Sequence, residues 1–269
     1  MRILFVGDVV GRSGRDALKA HLPKLKTDLN VDIAVVNVDN AANGRGITVN
    51  TAEEIMEYGA DVLTGGDHIW DQREMVCAVD NMDNILRVAN MPNTTPGKGF
   101  VTIEKAGQKF TVIHLGGTVF LDKGFENPFL KADEILQTIK PSKDHAVFVD
   151  FHAEATSQKM ALGHYLDGRV TALVGSHTHI PTADCHVMNN GTGYQTDAGM
   201  TGDFDSVIGV KPEAPIRNFK CLVPKERMVP AEGEATLCGT LIETDEKGLT
   251  KNIAPIRIGG RLKRNLPDF

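Results

Sequence analysis

Five segments of this 269-residue chain share one construction, a short continuous apolar run that ends in a cluster of Asp, Asn, His or Gly. They are RILFVGD from position 2, DIAVVNVDN from 32, ADVLTGGDH from 60, HAVFVDFHAE from 145 and VTALVGSHTH from 170. An apolar run with no polar alternation suits a strand covered on both faces, so each segment is predicted to be a buried strand with a polar end. Between the early ones lie GRDALKAHLPKLKTDL and TVNTAEEIMEYG, which have helical spacing; the second carries Thr51 and Glu54 at capping-box separation. Strand alternating with helix predicts a layered α/β fold.

Two later stretches follow a different pattern. GKGFVTIEKAGQKFTVIHLGGTVFL, from 97, alternates on either side of Ala106-Gly107, and TLCGTLIETDEKGLTKNIAPIRI, from 236, does so around Glu246-Lys247-Gly248. Both predict β-hairpins, hence antiparallel strands, and a pair of mixed sheets covered by helices. No internal repeat, low-complexity tract or linker interrupts the chain, which predicts one domain over 1–269. A cap or contact segment is expected around 115–135, where Phe120, Phe125 and Phe129 lie.

With 41% apolar and 24% charged residues the composition is that of a globular protein. The apolar run before Asp8 is too short for a signal segment and no stretch is long enough for a membrane span, so a cytoplasmic address is expected. Cys77, Cys185, Cys221 and Cys238 form no C-x-x-C pair, which argues against a disulfide framework or a thiolate zinc site. A formal charge of -6 disfavours a broad embrace of nucleic acid and leaves room for a focused anion site.

Polar residues that follow buried strands collect at one edge of an α/β sheet, where such folds bind ligands. Here that edge receives Asp8, Asp39, Asn40, Asp67, His68, His152, His177 and His179. Each has an ordinary structural explanation in isolation: Asp8 as a cap, Asp39-Asn40 as a turn, His152 as a hydrogen-bonded core ring. His177 and His179, two apart at a strand end, would share one face and turn onto one site. Ordinary explanations holding at five successive strand ends is an improbable coincidence, and carboxylates, an amide oxygen and imidazoles are the donor set of a non-thiolate transition-metal site. His21, His145, His164 and His186 lie in helix-like or turn contexts and are expected to be surface or structural, and His114, which also ends an apolar run, is intermediate.

The order of these motifs resembles the calcineurin-like metallophosphoesterases, with their G-D, D/E-N, G-N-H, single H and G-H-x-H blocks. More specifically, FVDFHAEATSQKMALGHYLDGRVTALVGSHTHIPTAD and TDAGMTGDFDSVIG resemble the YmdB family of bacterial 2',3'-cyclic nucleotide phosphodiesterases. The resemblance implies a four-layer sandwich of two mixed sheets flanked by helices. It also implies two metal ions, iron or manganese, with Asp8, Asp39, Asn40 and His179 holding one and Asp39, Asp67, His152 and His177 the other. Asp39 would bridge them, and His68 would be the proton donor; from its spacing alone, three residues on, Asp71 is expected to orient that imidazole. The implied reaction is phosphodiester hydrolysis by attack of a metal-bridged hydroxide on a cyclic nucleotide or a related ester. A small nucleotide substrate, an RNA-linked role and a homo-oligomer are the expected partners.

The chain departs from the family pattern at several positions. Val10 stands where the wider superfamily has the histidine of D-x-H, Asp39 where the family usually has Glu, and Asp67 where it has Asn. His114 and Thr118 replace an expected Asn and Arg. The added carboxylate of Asp67 is expected to slow turnover or change metal preference. The competing expectation is a regulatory nucleotide- or RNA-binding protein that keeps the metal site with weak or no catalysis. An amidohydrolase would place its H-x-H on the first strand, whereas here it comes late.

Overall fold

Side chains along a strand alternate between faces, and in this chain both faces of the central strands are apolar. The computed structural model describes residues 1–121, 123–221 and 226–269 and places two mixed sheets face to face. The first contains β1 (Arg2–Val6), β2 (Ile33–Asn37), β3 (Val62–Thr64) and β4 (Ile85–Leu86), all parallel. The second contains β5 (Phe100–Lys105), β6 (Gln108–Gly116), β7 (His145–His152), β8 (Ala172–Ser176), β9 (His186–Val187) and β10 (Gly193–Gln195), in the order β5-β6-β7-β8-β10-β9. Its four central strands β6, β7, β8 and β10 are parallel, and the two edge strands are antiparallel to their neighbours. The first sheet is completed by β11 (Gly202–Asp203), β12 (Ala235–Thr244) and β13 (Thr250–Ile258), with β12 antiparallel to β1, β11 and β13.

Strand parity assigns each residue to a layer. Ile3, Phe5, Ile33, Val35 and Val62 from the first sheet meet Phe110, Val112, Ala146, Phe148 and Val174 from the second, forming the sandwich interior. The Phe5 and Phe148 ring centroids are 5.1 Å apart across it. The intervening residues point outwards. Leu4, Val6, Ala34 and Val36 pack on Leu18, Leu22 and Leu25 of α1 (Gly11–Asp28) and Ala52 and Ile55 of α2 (Val49–Glu57). On the far side Val147, Val149 and Phe151 meet helices α4 (Pro128–Leu136) and α5 (Thr156–Leu166); the short α3 (Met75–Ala78) and the amphipathic α6 (Glu213–Lys220) complete the helices among the described residues. None of these helices is long and apolar enough to cross a membrane.

Both expected hairpins form. Ala106 (φ 52°) and Gly107 (φ 76°) make the left-handed two-residue turn that matches strand twist, and Asp245 Oδ1 accepts from the Lys247 and Leu249 amides in the second. Three local expectations need correction. The α2 cap is Thr48, whose Oγ1 accepts from the Thr51 amide at 3.2 Å, while Glu54 turns away to pair with Arg15 and Tyr58. β8 stops at Ser176, so His177 and His179 lie in a loop and share no strand face; both have positive φ, 93° and 67°. His145 opens β7, where its Nε2 lies 2.8 Å from Thr111 Oγ1, and does not belong to a helix or turn.

Candidate metal centre

The sandwich interior changes character along the strands. Inward-facing positions run from apolar to polar: Val35 to Asn37 on β2, Val62 to Thr64 on β3, Val112 to His114 on β6, Val174 to Ser176 on β8. On β7 the order is Phe148, Asp150, His152, and all of these polar residues are fully buried. Just past the strand ends come Asp8, Asp39, Asn40, Asp67, His68, His177 and His179, at the carboxyl edge of parallel strands where such sheets open a crevice.

The eight residues expected from the sequence converge. His152 Nε2 lies 3.1 Å from Asp67 Oδ1 and 3.4 Å from Asp39 Oδ2, and its Nδ1 lies 3.8 Å from Asp8 Oδ1. His177 Nδ1 is 3.1 Å from His152 Nε2 and 3.5 Å from Asp67 Oδ1. His179 Nε2 is 3.2 Å from Asn40 Oδ1 and 4.0 Å from Asp8 Oδ1. His68 sits at the rim, with Nε2 3.8 Å from Asp67 Oδ2 and its side chain 22% exposed against 1% for His152. Asp39, Asp67 and His68 also form a compact donor cluster, as do Asp67, His152 and His177.

The loops that carry these groups are held by specific contacts. A side chain at Gly66 would collide with the His152 ring, 2.3 Å from Nε2, and one at Gly65 would strike Ile69 at 2.8 Å. These glycines therefore serve close approach rather than a left-handed turn. The left-handed residues His177 and His179 each carry a strain of about 1–3 kcal/mol, which the surrounding bonds must offset. Asp197 does much of this: its Oδ2 accepts from the Thr178 amide at 3.1 Å and hydroxyl at 2.8 Å, and from the Lys159 ammonium at 2.7 Å. Lys159 also donates to the Ser176 carbonyl at 2.7 Å, so a buried ion pair ties α5 to the histidine loop.

Burial and neighbouring charge act against each other here. Burial disfavours ionised Asp8 and raises its carboxyl above the usual range, despite His179 and His152. Burial also opposes ionisation of Asp39 and Asp67, but the charge of His152 beside Asp39, and the hydrogen bond from His152 to Asp67 with the His177 ring close by, hold both below the usual range. The His152 imidazolium is disfavoured by burial and favoured more strongly by Asp39, Asp67 and Asp8, so its pKa lies well above the usual value. Asp150, behind it, is penalised by burial yet held at about 2 by His114, Ser176 and Thr64.

Asp8, Asp39 and Asp67 are three carboxylates buried around shared imidazoles, a combination that bound cations would relieve. Among the described residues, Asp39 Oδ2 has no hydrogen-bond partner although it is buried. Each inward histidine is also oriented from behind: His179 Nδ1 donates to the Ile208 carbonyl at 2.7 Å, His177 Nε2 faces Glu154 at 3.1 Å, and His152 Nδ1 faces Ser176 Oγ at 3.1 Å. That leaves one nitrogen of each ring aimed inwards, the arrangement metal-ligating histidines adopt. The donor set and its supports fit transition-metal ions.

A family model described as "YmdB-like protein" matches residues 4–256. The chain belongs to the YmdB-like family. A YmdB-like relative from Bacillus subtilis (strain 168), named 2',3'-cyclic-nucleotide 2'-phosphodiesterase, is 45% identical over 92% of each chain. Two solved structures superpose closely. A hypothetical protein from Thermus thermophilus gives a TM-score of 0.90 at 37% identity, covering 97% of this chain and 100% of that one. A novel phosphatase from Mycoplasma pneumoniae gives 0.89 at 34% identity, covering 96% and 93%.

Several residues of this YmdB-like site were not anticipated from the sequence. Lys123 reaches Asp67 Oδ2 at 2.9 Å, so this residue borders the site. Phe120 beside it is 86% exposed, whereas Phe125 and Phe129 pack against the core clusters. Asn37, Thr64, Asp150 and Ser176 were legible in principle, because each interrupts an inward apolar series with period two. Lys123, Glu154, Lys159 and Asp197 have no such signal; only tertiary packing brings them in.

Proposed function

We propose that the chain is a two-metal phosphodiesterase acting on 2',3'-cyclic nucleotides or closely related phosphodiesters. The observation that carries this reading is the convergence of Asp8, Asp39, Asn40, Asp67, His152, His177 and His179 at one edge of the sandwich, where the buried oxygen Asp39 Oδ2 has no hydrogen-bond partner among the described residues. Asp8, Asp39, Asn40 and His179 would hold one ion, and Asp39, Asp67, His152 and His177 the other, with Asp39 common to both. Oxygen and imidazole donors without thiolate suit iron or manganese. Such ions would supply Lewis acidity to activate water and positive charge opposite the phosphoryl oxygens.

The protein's own groups do the rest. Asp71 Oδ2, 2.9 Å from His68 Nδ1, accepts the proton on that nitrogen and turns Nε2 towards the site. As water adds to phosphorus and the bond to one ribose oxygen breaks, that oxygen takes the proton from His68 Nε2. The partial exposure of His68, against the fully enclosed His152, supports a role towards substrate and not only towards an ion. The name of the Bacillus relative supports the substrate class. A single domain over 1–269, with the segment around 115–135 bordering substrate, and assembly into a homo-oligomer belong to the same proposal.

The experiment is metal analysis of the full chain together with turnover of 2',3'-cyclic AMP and bis-p-nitrophenyl phosphate in manganese(II) or iron(II). Two ions per chain and hydrolysis of the cyclic nucleotide are expected. Ions without turnover of either ester would favour the regulatory reading, and no ion at all would overturn both.

A further inference from the structure

We propose that Asp150 and Ser176 are positioning residues for the metal centre, through a relay from the Asp150 carboxylate to the Ser176 hydroxyl to His152 Nδ1. It rests on reading His152 as a ligand. Asp150 is fully buried between the two sheets and is a hub. Its Oδ1 accepts from Ser176 Oγ at 2.6 Å, and its Oδ2 accepts from Thr64 Oγ1 at 2.6 Å and Asn37 Nδ2 at 3.0 Å. These partners sit on β8, β3 and β2, so one carboxylate on β7 joins both sheets directly beneath the site.

Proton accounting gives the hub its consequence. A serine hydroxyl has one proton, and a short contact to a carboxylate is the strongest bond open to it. With that proton committed to Asp150, Ser176 Oγ only accepts, from His152 Nδ1 at 3.1 Å and Asn37 Nδ2 at 3.1 Å. His152 must therefore carry a proton on Nδ1, and the lone pair that a metal needs is on Nε2, the nitrogen facing Asp39 and Asp67. The opposite tautomer would require Ser176 to donate to the ring and leave the buried carboxylate short of a donor.

The same logic extends to the shared carboxylate. The Asn37 Oδ1 atom accepts from the Asp39 amide at 3.1 Å, which fixes the amide orientation that sends Nδ2 to Asp150 and Ser176. The hub thus orders one donor on each sheet, His152 by its ring and Asp39 by its backbone. His114 Nδ1 approaches Asp150 Oδ2 at 3.1 Å but out of line, since neither ring nitrogen has a hydrogen-bond partner among the described residues; its ring packs beside the hub and is not a link in the relay.

The test measures manganese(II) affinity of the full chain by competition with a chelator, beside thermal unfolding of the ion-free protein. Ser176→Ala should weaken at least one manganese site by about 10- to 100-fold, the usual effect of losing a partner behind a ligating histidine. Ser176→Thr, which keeps the hydroxyl, should restore affinity towards that of the wild type. Asp150→Asn, which keeps shape and removes charge, should also weaken binding and serves if Ser176→Ala does not fold. Wild-type affinity in Ser176→Ala or in folded Asp150→Asn overturns the relay, and so does equal weakening in Ser176→Ala and Ser176→Thr. A wild-type chain that takes up no manganese would instead refute the metal-centre reading itself.

Discussion

Lys123 Nζ lies 2.9 Å from Asp67 Oδ2 and 3.2 Å from the Asp67 backbone oxygen, while Asp67 Oδ1 faces His152. The Asp67 carboxylate, an added negative charge relative to the family pattern, therefore has a cation on one oxygen and the His152 and His177 imidazoles on the other. Lys123 is 38% exposed, which keeps the pair modest in water, but its place at the mouth matters for an anionic ester. Lys123→Ala should lower kcat/KM for 2',3'-cyclic AMP about fivefold, about 1 kcal/mol, and the loss should vanish in an Asp67→Asn background. Steady-state kinetics of the four proteins measure this coupling. An equal loss in both backgrounds would mean that Lys123 acts on substrate alone.

His68 and Asp71 make the second prediction. His68→Ala should keep its metal content and lose about 100- to 10,000-fold in kcat, the contribution of a positioned acid. Asp71→Asn should lose less, because it misorients the ring without removing it. Metal analysis beside kcat separates the roles: an emptied metal position in His68→Ala would make this histidine a ligand.

Breaking the Lys159–Asp197 pair should damage the histidine loop. Both side chains are fully buried, so Lys159→Met strands a charge at a cost of about 3–5 kcal/mol. For a chain of this size that lowers Tm by roughly 6–20 °C. Replacing both partners with apolar residues should cost less than Lys159→Met alone. Denaturant titration checks the ordering, and the reverse order would show that the loop does not depend on the pair.

A pH dependence of stability is expected away from the site, at Asp61. Burial opposes its ionisation, yet the Lys105 ammonium, the Ala34 amide and the Lys26 ammonium outweigh burial and hold its carboxyl below the usual range. The bonds are 2.8 Å from Lys105 and 2.9 Å from Lys26. A depressed folded pKa stabilises fully above the unfolded value of about 3.9 and is lost as pH falls through the folded one. Asp61→Asn should therefore melt below wild type at pH 7, with the gap closing only below about pH 4. Thermal melts across pH 3 to 7 decide it, and a gap that stays constant to pH 3 would assign the difference to something other than charge.

The sequence by itself determined the five buried strands with polar ends, the two hairpins and the edge of the sheet at which Asp8, Asp39, Asp67, His152 and the two loop histidines would meet; the short strands β4, β10 and β11 had no such local signal. Those features follow from local periodicity and from the fact that parallel strands present their polar ends together. The roles of individual nitrogens and oxygens were a different matter. Which ring atom of His152 faces inwards depends on Ser176, 24 residues away, and on a carboxylate that also touches Asn37 and Thr64 in the other sheet. The loop holding His177 and His179 took left-handed backbone angles because Asp197 and Lys159 hold it there, not because local propensity favoured them. Asp67, an unexplained extra charge in the one-dimensional reading, acquired its counterion only when folding brought up Lys123, 56 residues further along. Periodicity is a property of neighbours along the chain, whereas proton placement and charge balance depend on groups that only packing brings within hydrogen-bond distance.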